Sequence, residues 1–145
     1  MLRAYLQETT ALRERVHSWE DSIKIAAHAL LEQGYIKESY VEKMISNVHE
    51  FGPYIVIVPG IALPHAQNEG EVNKNGISML KLEEPVLYPE DKEVQIVMVL
   101  AATDSSGHLD LISELASMFA DDDIKQALEA AQSKEEILSI VENVE

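Results

Sequence analysis

Part-way along the chain the apolar residues change their spacing, and that change decides what the fold can be. Up to Phe51 they recur at helical intervals. Trp19, Ile23, Ala26, Ala27, Leu30 and Leu31 share one face, and Tyr40, Val41, Met44, Ile45 and Val48 share another. Gly52-Pro53 ends that pattern. Tyr54-Ile-Val-Ile-Val58 follows, an unbroken run rich in β-branched residues, as expected of a strand buried on both faces.

The boundaries of these stretches carry their own chemistry. Ser18 reads as the N-cap of the first helix, with Glu20 and Asp21 at the positive end of its dipole and Gly34 as its stop. Ser39 with Glu42 three residues later resembles a capping box for the second helix. After Pro59-Gly60, residues 61–63 resume the strand. Residues 68–75 are a polar loop, 76–82 a strand and 85–89 a turn or edge segment bounded by prolines. Residues 94–101 form a further apolar strand, and 103–107 a loop rich in capping residues. An amphipathic helix then spans 108–119, with Leu111, Ile112, Leu115 and Phe119 inward, and two short helices are expected near 123–131 and 134–144. The residues ahead of Ser18 read only as a short N-terminal segment. Helices at both ends with buried strands between them predict an α/β fold, a mixed and mostly parallel β-sheet flanked by α-helices on both faces. A length of 145 residues suits one domain, residues 1–145.

Composition narrows the function. There are 26 acidic residues against 11 basic ones, a net charge of -15. Nucleic-acid binding depends on neutralising phosphates, and docking on anionic lipid depends on cationic side chains, so neither is expected. The absence of cysteine removes disulfides, thiolate metal sites and thiol nucleophiles. The N-terminus carries charge where a signal peptide needs an apolar core, and no apolar stretch reaches membrane-spanning length, so the expected location is the cytoplasm.

Five histidines remain as candidates for chemistry. His17, His28 and His49 sit beside, within and at the end of helices, as surface or half-buried residues do. No pair has the HxH or HxxxH spacing of metal ligands, so a metal site is unsupported. His65 is placed differently, directly after an apolar strand through Leu63-Pro64. Pro64 fixes its own φ and restricts Leu63, which presents the next imidazole with little wobble. A neutral imidazole, with an ordinary pKa of about 6.5, is a good nucleophile near neutral pH. His108 lies at or just inside the first turn of a helix, where free amides and the positive dipole end suit a phosphoryl group. From placement alone, a purely structural role remains the better reading of either residue.

Gly60-Ile-Ala-Leu-Pro-His65-Ala66 resembles the active-site signature of the mannitol/fructose-type enzyme IIA proteins of bacterial sugar phosphotransferase systems. The resemblance covers essentially the whole chain, and the stretch from Phe51 to Ala66 is most similar to the ascorbate-specific branch. It implies a mixed sheet flanked by helices. It also implies a phosphocarrier in which His65 takes a phosphoryl group from phospho-HPr and passes it to a cysteine of enzyme IIB. The membrane component IIC then phosphorylates the sugar, here L-ascorbate, during uptake. By the same resemblance His108 stabilises the phosphoryl group, and no metal or cofactor is needed. The family also includes regulatory modules, in which phosphorylation of the same histidine controls a protein partner. One departure stands out. Mannitol-type members carry an arginine near the end of the second helix, whereas residues 44–50 here contain none, leaving His49 as the nearest substitute in sequence.

Overall fold

Side chains along β5 (Lys92–Ala101) leave alternate faces of the backbone, and both sets are apolar. Ile96, Met98 and Leu100 enter one buried cluster, while Val97, Val99 and Ala101 enter another. A sheet with two apolar faces must be covered twice. In the computed structural model, which describes residues 2–144, α2 (Trp19–Glu32) and α3 (Glu38–Phe51) cover one face. The other is covered by α1 (Leu2–Leu6), α4 (Ser105–Phe119), α5 (Asp122–Ala130) and α6 (Lys134–Val144). Each fully buried Leu, Ile, Val or Met in these layers contributes about 1.5–3 kcal/mol relative to exposure, which makes the two layers the main source of stability.

The sheet has five strands in the order β1-β4-β5-β3-β2, with β1 (Thr10–Arg13), β2 (Val56–Val58), β3 (Gly60–Ala62) and β4 (Gly76–Tyr88) joining β5. β1 runs parallel to β4, and β3 parallel to β5. β4–β5 and β2–β3 are antiparallel hairpins. The expected mixed sheet with helices on both faces is therefore present, with parallel and antiparallel pairs in equal number. No helix among the described residues is long and apolar enough to cross a membrane.

Several local expectations hold. Ser18 caps α2 by accepting the Asp21 amide at 3.1 Å, and Gly34 takes the positive φ that follows that helix. Others are overturned. α3 begins at Glu38 with Lys37 as N-cap and no side-chain cap bond, so the Ser39–Glu42 capping box does not form. Tyr54 to Val58 is not a strand buried on both faces. Only residues 56–58 pair, as the outermost strand, and Ile57 is exposed. β4 runs straight through Pro85, which lies where the register with β5 shifts between Lys81 and Val86, so its missing N–H breaks no regular ladder. The N-terminal segment holds α1 and β1, tied down by the Thr9 hydroxyl, which donates to the Ile77 carbonyl at 2.7 Å.

Gly76, the first residue of β4, has no room for a side chain. A Cβ there would lie 2.6 Å from Tyr35 Cδ2 and 3.0 Å from Leu30 Cδ2. We expect Gly76→Ala to destabilise the fold by about 1–3 kcal/mol, the usual cost of overpacking. Urea unfolding reads this directly, and a wild-type midpoint would mean that the Tyr35 ring yields without cost.

Candidate functional site

Parallel neighbours end side by side, so whatever follows β3 emerges next to whatever follows β5. His65 comes three residues after β3, and His108 seven after β5. Their rings meet with centroids 5.2 Å apart, inclined at 71°. The structure thus brings together the two histidines that the sequence singles out, 43 positions apart.

The segment carrying His65 is held by backbone bonds on two sides. The Leu63 amide donates to the Ile55 carbonyl at 2.8 Å, and the Leu100 amide donates to the Pro64 carbonyl at 2.9 Å. Leu63, Pro64 and Ala66 are buried, while His65 is half-exposed. Its Nδ1 lies 2.6 Å from the Leu63 carbonyl oxygen. A carbonyl can only accept, so Nδ1 carries the proton in the neutral ring and Nε2 keeps its lone pair. The arrangement presents a nucleophilic nitrogen of defined identity. Tyr54 flanks the ring edge-on at 5.8 Å, and its hydroxyl donates to the His65 carbonyl at 3.2 Å.

On the other side, α4 starts earlier than its sequence suggests. Ser105, Ser106 and Gly107 form its first turn instead of a preceding loop, and Asp104 is the N-cap, accepting the Gly107 amide at 2.8 Å. Asn75 fixes the approach to this turn through the Thr103 amide (2.8 Å) and hydroxyl (3.1 Å). His108 is the fourth helical residue. The amides of Ser105 and Ser106 are among those that a helix start leaves without an intrahelical partner. They lie at the positive end of the dipole, which favours an anion there. A cleft of about 420 Å³ opens between Gln67-Asn68 and the first turn of α4, with His108 on its wall. A larger groove of about 1000 Å³ lies along α4, α5 and α6, but no imidazole lines it, so size does not locate the chemistry. Burial, and then the neighbouring His65, hold the His108 pKa below the ordinary imidazole value.

The remaining histidines lie elsewhere. His17 and His28 are exposed, the latter beside Glu32 at 3.3 Å. His49 packs against Trp19 at 4.9 Å and pairs with Glu20 at 3.4 Å, so it does not stand in for the family arginine. The α3 cation that reaches the loop directly after the motif is Lys43. Its ammonium donates to the Gln67 carbonyl at 2.6 Å and is held by Glu69 (2.6 Å) and Glu71 (3.0 Å). Two carboxylates already neutralise it, so it orders the 67–71 loop more than it offers charge to an anion. Tyr40, buried on α3, reaches the same region through the Ala66 amide at 3.1 Å. Sequence reasoning missed both residues. They sit in ordinary helical positions, and only the tertiary fold brings the 66–71 segment against them.

Comparison with known proteins agrees with this architecture. Residues 5–144 match the family model described as phosphoenolpyruvate-dependent sugar phosphotransferase system, EIIA 2. The chain belongs to that family and is a phosphotransferase component of such a system. The ascorbate-specific PTS system EIIA component of Escherichia coli K12 is 30% identical over 146 residues, covering 97% of this chain and 95% of that one. The mannitol-specific cryptic phosphotransferase enzyme IIA of Escherichia coli superposes with a TM-score of 0.91 at 27% identity, over 99% of each chain. The mannitol enzyme IIA of Escherichia coli, solved in complex with phosphorylated enzyme IIB, shares the fold. Its TM-score is 0.81 at 24% identity, over 94% of this chain and 95% of that one.

The lowered His108 pKa has a measurable consequence. An NMR titration is expected to place its midpoint below the ordinary value of about 6.5. His65→Asn should raise that midpoint only part of the way, because burial is the larger cause and remains. The unfolded chain binds this proton at the ordinary value and the folded chain at a lower one. Stability from this residue is therefore present above about pH 6.5 and declines as pH falls towards the folded midpoint. An unshifted His108 midpoint in the wild type would contradict its burial beside His65.

Proposed function

We propose that this protein is a cytoplasmic phosphocarrier, a single IIA domain over residues 1–145. It accepts a phosphoryl group from phospho-HPr on His65 and passes it to a cysteine of enzyme IIB, so that a membrane IIC can phosphorylate its sugar during uptake. The observation that carries this reading is His65 itself. Its Nδ1 is committed to a backbone carbonyl, which leaves Nε2 with its lone pair, and its ring meets that of His108, the fourth residue of α4.

The transfer needs no acid–base step at the acceptor nitrogen. The Nε2 lone pair attacks phosphorus in line, the N–P bond to HPr breaks as the new one forms, and the HPr imidazole leaves with the electron pair. In the second step an IIB thiolate attacks the same phosphorus, and the bond to Nε2 breaks. Little covalent chemistry falls to the protein, so positioning and charge stabilisation dominate. The Leu63 carbonyl orients the acceptor ring, and the positive end of α4 with His108 steadies the equatorial oxygens. A neutral His108 donates one hydrogen bond without repelling the positive charge that the His65 ring takes up as Nε2 bonds to phosphorus. As the phosphoryl dianion arrives, protonation of His108 becomes favourable. L-ascorbate as the pathway's sugar is supported by the Phe51-to-Ala66 stretch and by the ascorbate-specific relative.

Incubation with phosphoenolpyruvate, enzyme I and HPr should add one phosphoryl group, acid-labile and alkali-stable, and His65→Gln should take none. Full labelling of His65→Gln would remove the proposal. The labelled protein should discharge much faster to an ascorbate-type IIB than to a mannitol- or fructose-type one, and equal rates would remove the sugar assignment alone.

His108→Ala should fold and still accept phosphate, but slow the transfer by roughly a hundredfold, about 3 kcal/mol, the usual effect of losing one preorganised donor. The deficit should fall mainly on the step to IIB, where the oxygens must be steadied while the Nε2–P bond loosens. Single-turnover rates from HPr and to IIB, measured separately, decide this. Wild-type rates in both would leave His65 as the sole reacting group.

A further inference from the structure

We infer that Tyr40 is a positioning residue for the transfer, its hydroxyl locking the backbone on which both histidines are mounted. This rests on His65 being the phosphoryl acceptor. Tyr40 is fully buried, and its hydroxyl sits where three chain segments meet. It donates to the Leu100 carbonyl at 2.7 Å, with the Ala66 carbonyl at 3.3 Å as a second acceptor, and it accepts the Ala66 amide at 3.1 Å. Leu100 is the penultimate residue of β5, which leads into α4 and His108, and Ala66 directly follows His65. One hydroxyl therefore couples the two strand exits to α3 and to each other.

The backbone bonds described above hold Leu63 and Pro64, on the N-terminal side of His65. On its C-terminal side the bond to Tyr40 holds the Ala66 amide itself, one residue ahead of the Gln67 carbonyl that Lys43 holds. Ala66 is 5% exposed, so its amide has little access to water if the hydroxyl is removed. The segment must then shift to satisfy it. Such a shift moves the His65 ring relative to His108 and to the amides of Ser105 and Ser106. Desolvation pushes the Tyr40 pKa up to about 12, so the phenol stays protonated and takes no part in proton transfer. Its action is through geometry.

A second buried phenol in the same core layer provides the control. Tyr88, at the opposite end of β4 from the site, shares its hydroxyl with Ser22 at 2.7 Å and touches nothing near His65. Tyr40→Phe and Tyr88→Phe each remove one buried hydroxyl and nothing else. We expect both to lower the thermal midpoint. Only Tyr40→Phe should slow phosphoryl acceptance, by about tenfold or more, the scale expected when a reacting group is misplaced by part of an ångström. The phospho-HPr concentration for half-maximal rate should be unchanged, because the docking surface is untouched. The ¹⁵N spectrum of His65 should also change, from one dominated by the Nδ1–H form to a mixture of tautomers. Equal single-turnover rates in the two variants, or an unchanged His65 spectrum in Tyr40→Phe, would overturn the inference. Amide exchange in the wild type tests it without any variant. Ala66 should exchange far more slowly than Gln67 and Asn68, and equally fast exchange would also overturn it. A wild-type protein that takes no label on His65 would instead defeat the functional reading, while the exchange of Ala66 would still report on the anchor.

Discussion

The parallel pairing of β3 with β5 is the constraint on which the rest of the site depends. It sets two strand exits side by side, one leading within three residues to His65 and the other into α4. Strands with two apolar faces can lie only in the middle of a covered sheet, so this pairing is driven by burial on both sides. Chemistry at strand exits then inherits the rigidity of the core. The segment from Leu63 to Ala66 has no regular secondary structure, yet it is buried except for the His65 ring, and backbone bonds tie it to Ile55 and Leu100. A loop built this way behaves as part of the scaffold.

Charge is arranged around the site by opposition. The chain carries -15 overall, which disfavours a phosphoryl group at any ordinary place on the surface. At the head of α4 the backbone provides positive potential without a formal charge. The Lys43 ammonium, which reaches the neighbouring loop, is closed off by Glu69 and Glu71. Burial and the Glu pair oppose each other at that ammonium, and the carboxylates win, keeping its pKa above the ordinary value. In the proposed transfer the phosphoryl group is held by backbone amides and imidazole, loosely enough to leave again.

The features legible in sequence were those governed by local chemistry or strong periodicity. The Ser18 cap, the helical stripes of α2 and α3 and the apolar strand β5 all follow from spacing and end residues. His65 stood out because proline and an apolar strand precede it. What escaped was decided by contacts distant in sequence. β1 is four residues, Thr-Ala-Leu-Arg, too short for any period to show, and it exists because β4 offers it a partner. The run from Tyr54 looked central by composition but lies at the margin, since the Pro59-Gly60 turn folds it back outside β3. The Ser39–Glu42 pattern matched a capping box, but Lys37 already has the extended backbone of an N-cap, so the helix starts before it. Tyr40 and Lys43 gave no signal, because a residue that acts on a loop from a helix has no neighbour in sequence to reveal it.

The margins of the sheet have a consequence of their own. An open sheet leaves unpaired amides and carbonyls along its two outer strands, and long flat margins invite another chain to add itself there. Here one outer strand has three residues, an irregular register and a proline at its turn, and the other has four and ends on an arginine. Neither is a good template for main-chain pairing. Side chains and loops make contacts that break quickly, and the proposed passage of a phosphoryl group from one partner to the next uses contacts of that kind.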